Sequence, residues 1–144
     1  MSKLTSAELK ADAVPSYALA GNATITLLSG NTDKHFTYKI KKAKDKENLY
    51  FVDLLSGPDN DDDYQYIGCY YSDTEYFHAA KPWKERPIIA WPSSLRAIHF
   101  FFKRLYDIPD NLHVYHEGRC GRCGKKLTTP ESIERGLGPE CYKR

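Results

Sequence analysis

The chain has 144 residues, of which 41% are hydrophobic and 13% aromatic, a composition that supports one folded core and excludes a largely disordered chain or two full-sized domains. The net charge is only +2, but residues 94–144 carry ten Lys and Arg against six Asp and Glu. This basic C-terminal part favours an acidic partner such as nucleic acid.

The N-terminal residues 1–21 predict a flexible lead-in. It contains at most one short helix, which begins with the capping pattern Thr5-x-x-Glu8 and ends before Pro15. Neither this segment nor any other has an apolar run long enough for a signal-peptide core or for the roughly 18 residues of a membrane helix. We therefore expect a cytoplasmic protein with no membrane partner.

Residues 22–110 predict an α+β domain that begins with an antiparallel meander. About five segments are rich in β-branched and aromatic residues, and clusters of Gly, Asn, Asp, Pro or Lys separate them. Polar and apolar residues alternate over residues 36–41, which predicts a sheet with one covered face. The five segments are ATITLLS, HFTYKIKKA, LYFVDLL, YQYIGCYY and EYFHAA.

One amphipathic helix over residues 93–106 is predicted to cover that face. Ser93 or Ser94 can cap it, and Pro109 ends the helical region. Its apolar stripe consists of Leu95, Ile98, Phe101, Phe102 and Leu105.

Residues 111–144 predict a small C-terminal zinc knuckle. Cys120-Gly-Arg-Cys123 is a tight turn in which two thiolates converge on one ion, and Cys141 supplies a third. We expect one structural Zn²⁺ per chain with His116 as the fourth ligand, because it lies just before the turn. His113 falls in an alternating, strand-like stretch, and a water molecule is the remaining alternative.

Two other readings of the cysteines are less favoured. A redox role for Cys120 and Cys123 requires a βαβ context that the sequence lacks. Cys69 lies in an apolar strand and is expected to be an inert buried thiol.

The segment from His116 to Cys141, with its HEGRCGRCG, PESI and GLGPEC motifs, resembles the C-terminal zinc ribbon of an uncharacterised family of bacteriophage, prophage and actinobacterial proteins. The resemblance extends less specifically to residues 23–141. It implies that His116 belongs with the three cysteines, and it suggests a phage or mobile-element origin and hence the host cytoplasm. It implies no activity.

Basic and aromatic residues form a candidate partner surface, although a lysine run of this kind is more commonly the solvated end of a strand that deters edge-to-edge pairing. The candidate contact residues are Lys39, Lys41, Lys42, Arg119, Arg122, Lys125 and Lys126. The neighbouring aromatic residues are Phe36, Tyr38, Tyr50 and Phe51, which either stack unpaired bases or form the core side of the sheet.

No nucleophile, phosphate loop or His-Glu-x-x-His pattern is apparent, so we expect no enzyme. The sequence favours a nucleic-acid-associated accessory protein of phage type. The alternative is a protein-binding inhibitor of a host enzyme or defence system, of the anti-CRISPR type, anchored by an aromatic-rich sheet edge or by an exposed stretch from Trp83 to Trp91. The sequence leaves the identity of the partner and the oligomeric state open.

Overall fold

The structure is a computed structural model that describes residues 8–29, 34–57, 63–81 and 83–116. These residues form a six-stranded antiparallel sheet and two short α-helices, which confirms the α+β class. The helices are α1 (Val14–Ala18) and α2 (Ser93–Lys103). The strands are β1 (Asn22–Ser29), β2 (His35–Lys42), β3 (Leu49–Leu55), β4 (Tyr64–Tyr71), β5 (Tyr76–Ala79) and β6 (Leu112–His116).

The strand order across the sheet is β5-β4-β3-β2-β1-β6. The first five strands form the predicted meander, since each pairs with its neighbour in sequence. The chain then crosses from β5 to the opposite edge, where β6 pairs with β1. Helix α2 lies in this crossing connection.

The core lies between one face of the sheet and the helices. Tyr38 and Ile40 in β2 are fully buried, so the intervening Lys39 points to the second face. Helix α2 ends at Lys103, before the predicted residue 106, yet Leu105 is still fully buried. The rest of the predicted stripe is buried as well, and each such Leu or Phe contributes roughly 1.5–3 kcal/mol.

Residues 8–21, the described part of the predicted flexible lead-in, are ordered into the fold. Leu9, Val14 and Tyr17 are buried in the core, and a short helix begins beside Pro15 instead of ending before it. Proline fits the first turn of a helix because its missing N–H would have no helical partner there. This segment is therefore an integral part of the fold.

Strand β6 comes from the segment that the sequence assigns to the zinc knuckle. It joins the sheet as a sixth strand, and residues 8–9 cover its outer edge. The backbone N–H of Leu9 donates to the carbonyl of Val114 at 2.8 Å. The remainder of the predicted knuckle, residues 117–144, lies outside the described residues.

Candidate nucleic-acid interface and metal-binding segment

Most of the predicted metal ligands lie in the part of the chain that the structure does not describe. Cys120, Cys123 and Cys141 belong to it, as do the four basic residues predicted around them. Within the described ranges, no group of three or more His, Cys, Asp or Glu side chains is placed to hold a metal ion. His116 is the predicted ligand whose position is known.

His116 is the last residue of β6 and is 4% exposed. It pairs with Ile25, so it lies on the core face of the sheet. Its ring centroid is 5.5 Å from that of Tyr17, with a 44° angle between the planes. The imidazole is thus positioned by the sheet and by α1, four residues before Cys120.

His113 lies on the opposite face of β6. It is three residues from His116, and side chains at that spacing in a strand point to opposite faces. Its Nδ1 lies 2.7 Å from Oε2 of Glu8. This pairing joins the N-terminal segment to the edge strand.

The predicted contact residues Lys39 and Lys41 lie on the second face of the sheet. Lys41 is exposed and pairs across the strands with Phe51. The Nζ atom of Lys39 lies 4.3 Å from the ring centroid of Tyr64, close enough for a cation–π contact. Lys42, the last residue of β2, is exposed.

The four aromatic residues predicted beside the lysines divide between the two faces. Tyr38 and Tyr50 are buried, and Phe36 packs against the core. Of the two interpretations, these three residues therefore form the core side of the sheet, because alternation directs them to the covered face. Phe51 points the other way and is 41% exposed.

Tyr66 is a further exposed aromatic residue on this face, which the sequence pattern does not predict. It is 49% exposed, and its ring centroid is 6.2 Å from that of Phe51 at an interplanar angle of 67°. A register shift between Val52 and Asp53 places Tyr66 there. We call Phe51 and Tyr66, with Lys39 and Lys41, the aromatic platform.

A groove of about 610 Å³ adjoins the platform at strands β4 and β5. We call it the aromatic groove, and its lining includes Tyr66, Cys69, Tyr71, Tyr76, His78 and Trp91. The ring of His78 lies 5.4 Å from that of Tyr71 and 4.8 Å from that of Tyr76. Four aromatic residues and an imidazole therefore converge on one concave surface.

Cys69 is half-buried in this groove rather than fully buried. Desolvation raises the pKa of its thiol, although hydrogen bonds to Tyr66 and Tyr71 oppose this effect. Desolvation and the neighbouring Cys69 raise the pKa of Tyr66 to about 12. Both groups are thus neutral at physiological pH, and Cys69 is a poor nucleophile, as the sequence predicts.

The stretch from Trp83 to Trp91 is not the exposed tryptophan anchor that the sequence predicts. Trp91 is 7% exposed, and its Nε1–H donates to the carbonyls of Trp83 at 3.0 Å and Arg86 at 3.1 Å. Both hydrogen bonds hold the indole against the core. Ile89, which is 84% exposed, is the prominent apolar residue of this stretch.

Residues 110–144 match the model of a family of unknown function (DUF6011). This match agrees with the resemblance of the C-terminal segment to an uncharacterised family. It includes strand β6 together with the cysteines. No curated protein and no solved structure matches the chain. In the described residues, no helix has the length and apolar character needed to cross a membrane.

Proposed function

We propose that the protein binds single-stranded nucleic acid on the aromatic platform and acts by binding rather than by catalysis. The observation that carries this proposal is that Phe51 and Tyr66 expose their rings on the sheet face that also presents Lys39 and Lys41. Exposed rings on a sheet can stack unpaired bases of any sequence, and lysines beside them can contact phosphates.

The charges on this face set the expected strength of binding. Asp53 lies between Lys39 and Tyr66 in the cross-strand pairing, so the platform is only weakly positive. If both platform lysines contact phosphates, the logarithm of the binding constant should fall against the logarithm of salt concentration with a slope contribution of about −1.4. Stacking, rather than charge, therefore supplies most of the affinity.

Fluorescence anisotropy with a labelled single strand of about 12 nucleotides tests the stacking contribution. Phe51→Ala or Tyr66→Ala should weaken binding about 5- to 150-fold, equivalent to about 1–3 kcal/mol per base. Tyr106→Ala is the matched control, since Tyr106 is 61% exposed and lies beyond α2. Absence of binding at low salt, or equal affinity of the Phe51→Ala variant, would refute the proposal.

The salt dependence tests the phosphate contacts separately. Lys41→Ala should make the slope shallower by about 0.7 for a single strand. Lys103→Ala, at the end of α2, should leave the slope unchanged. Equal slopes for wild type and Lys41→Ala would exclude Lys41 from the interface.

For the C-terminal segment we propose one structural Zn²⁺, held by Cys120, Cys123, Cys141 and His116. Three thiolates and one imidazole form a closed four-coordinate set, which suits a structural rather than a catalytic ion. The burial of His116 at the end of β6 supports it as a ligand, because the sheet already fixes its ring. The ion would attach the cysteine-containing segment to the sheet.

Elemental analysis should give about one zinc per chain, as expected for one four-coordinate site. Cys141→Ser should lose the metal. His116→Ala should weaken zinc binding in a chelator competition, whereas His113→Ala should retain wild-type affinity because His113 faces Glu8. Full zinc affinity in the His116→Ala variant would remove His116 from the ligand set.

A second candidate function is binding to a host protein, as an inhibitor of an enzyme or defence system of the anti-CRISPR type. The exposure of Ile88 and Ile89 favours it, at 39% and 84%, since adjacent exposed apolar side chains commonly contact a partner. Affinity purification from host lysate should recover a stoichiometric partner with the wild type and lose it with Ile89→Asp. Recovery of the same partner by both proteins would exclude this surface.

A further inference from the structure

The aromatic groove has the size and lining of a site for a flat ligand. Its volume of about 610 Å³ lies within the range of small-molecule sites. His78 stands between Tyr71 and Tyr76, with interplanar angles of 89° and 71°. Trp91 forms a fixed wall, because two hydrogen bonds hold its indole in place.

The lining of the groove combines neutral tyrosine and cysteine side chains with one cation and one anion, which suits a ligand with a neutral ring. A phenol and a thiol are neutral at physiological pH, and desolvation raises the pKa of Tyr66 and of Cys69 further, so these side chains favour an uncharged ring. Lys84 and Asp73 also line the groove, and both are exposed. A phosphate would be attracted by Lys84 and repelled by Asp73, which restricts the orientation of a bound nucleotide.

The groove is continuous with the platform through Tyr66, whose ring contacts Phe51 and also lines the groove. Strand β3 carries Phe51 and strand β5 carries His78. Two strand spacings, or about 10 Å, separate these strands. About three stacked nucleotides span this distance. A strand lying on the platform can therefore place its next base in the groove.

We propose that the aromatic groove receives one unpaired end base of the single strand that lies on the platform. This inference rests on the proposed function. A base at the end of a strand is unstacked on one side, so it can enter the groove between aromatic side chains without opening a duplex.

A chemical double-mutant cycle tests the contact between the groove and the end base. The ligands are a short oligonucleotide of about four nucleotides and two matched versions that lack the base at the 5′ or the 3′ end. For the wild type, loss of the base at one end should weaken binding about 5- to 150-fold, as expected for a stacked base. In Tyr71→Ala and His78→Ala, the intact and abasic oligonucleotides should bind equally well.

Phe51→Ala and Tyr106→Ala are the controls. Phe51→Ala should weaken the intact and abasic oligonucleotides by the same factor, since its ring contacts a different base. Tyr106→Ala should behave as the wild type. His78 is exposed, so His78→Ala is the variant that keeps the test valid if Tyr71→Ala fails to fold.

The outcomes separate the two proposals. Absence of binding by the wild-type protein defeats the proposed function. A second outcome would defeat the groove inference alone. In it, Phe51→Ala weakens binding, but neither groove variant changes the effect of removing either end base. Binding of a free nucleoside monophosphate as tight as that of the oligonucleotide would overturn the assignment to a strand, because the ligand would then be a free nucleotide.

Discussion

The hydroxyl of Tyr17 fixes the N-terminal helix to the sheet, and Tyr17→Phe removes only that hydroxyl. It donates to the carbonyl of Thr24 at 2.9 Å and accepts the N–H of Thr24 at 3.1 Å. Thr24 lies one residue beyond the last pair of β1 with β6, Ile25 with His116. Tyr17 thus satisfies the buried N–H and the buried carbonyl of Thr24 at the point where the described pairing ends.

The expected loss follows from those two bonds. A buried donor or acceptor left without a partner costs about 1–3 kcal/mol, so the loss of both bonds should lower the free energy of unfolding by about 2–6 kcal/mol. With an unfolding entropy of about 2.1 cal/mol/K per residue, this lowers Tm by about 7–20 °C. The phenyl ring of the variant keeps the contact with His116, so zinc content should not change.

Chemical denaturation followed by circular dichroism measures this loss. Tyr106→Phe is the matched control, because it removes a tyrosine hydroxyl at a position that is 61% exposed. A Tyr17→Phe variant within about 0.5 kcal/mol of the wild type, the range of neutral surface changes, would refute the argument that this hydroxyl anchors α1.

Three further changes probe the core and the platform. Phe102→Ala should lower the free energy of unfolding, measured by chemical denaturation, by about 3–5 kcal/mol. Phe100→Ala, at a position that is 42% exposed, should lower it by less than about 1 kcal/mol. Gly68→Ala places a Cβ against the carbonyl of His78. It should lower the free energy of unfolding by about 1–3 kcal/mol in the same denaturation experiment. The raised pKa of Tyr66 contributes stability that is complete below pH 10 and is lost as the pH approaches about 12. Tyr66→Phe should make unfolding curves at a series of alkaline pH values less pH-dependent.

The strands and the long helix could be predicted because their signals are local and repeated. Alternation in β2 identifies the buried Tyr38 and Ile40, and the spacing of Leu95 and Ile98 identifies the face of α2 that is buried. In each of these two elements, several residues indicate the same buried face. Tertiary packing is therefore consistent with the local pattern.

The N-terminal segment could not be predicted because its order comes from distant residues. Its helix has only five residues, too few to be stable alone. It is held by the hydrogen bond from Tyr17 to Thr24 and by the hydrogen bond from Leu9 to Val114, which lies more than a hundred positions away. No window of local sequence contains those partners.

The prediction of an exposed tryptophan anchor was wrong for a related reason. Composition identifies Trp83 and Trp91 as hot-spot residue types, but it does not show whether an indole N–H finds a partner within the chain. Trp91 finds two, so its ring turns inward. Its apolar neighbours Ile88 and Ile89 are exposed instead.

The platform depends on an irregularity in β4 that no alternating pattern reveals. Regular alternation would place Tyr66, Gly68 and Tyr70 on one face, and Tyr70 is buried in the core. Instead Val52 pairs with Gly68 and Asp53 pairs with Tyr66, so one extra residue is accommodated between them. This bulge reverses the direction of Tyr66.

Gly68 adjoins the bulge, and any Cβ there would meet the carbonyl of His78 and the ring of Phe77. The absence of a side chain at Gly68 therefore allows β5 to approach β4 closely. The approach of β5 forms one side of the aromatic groove, and the reversal of Tyr66 completes the platform. The groove thus depends on the close approach that Gly68 permits, and the platform depends on the bulge beside it.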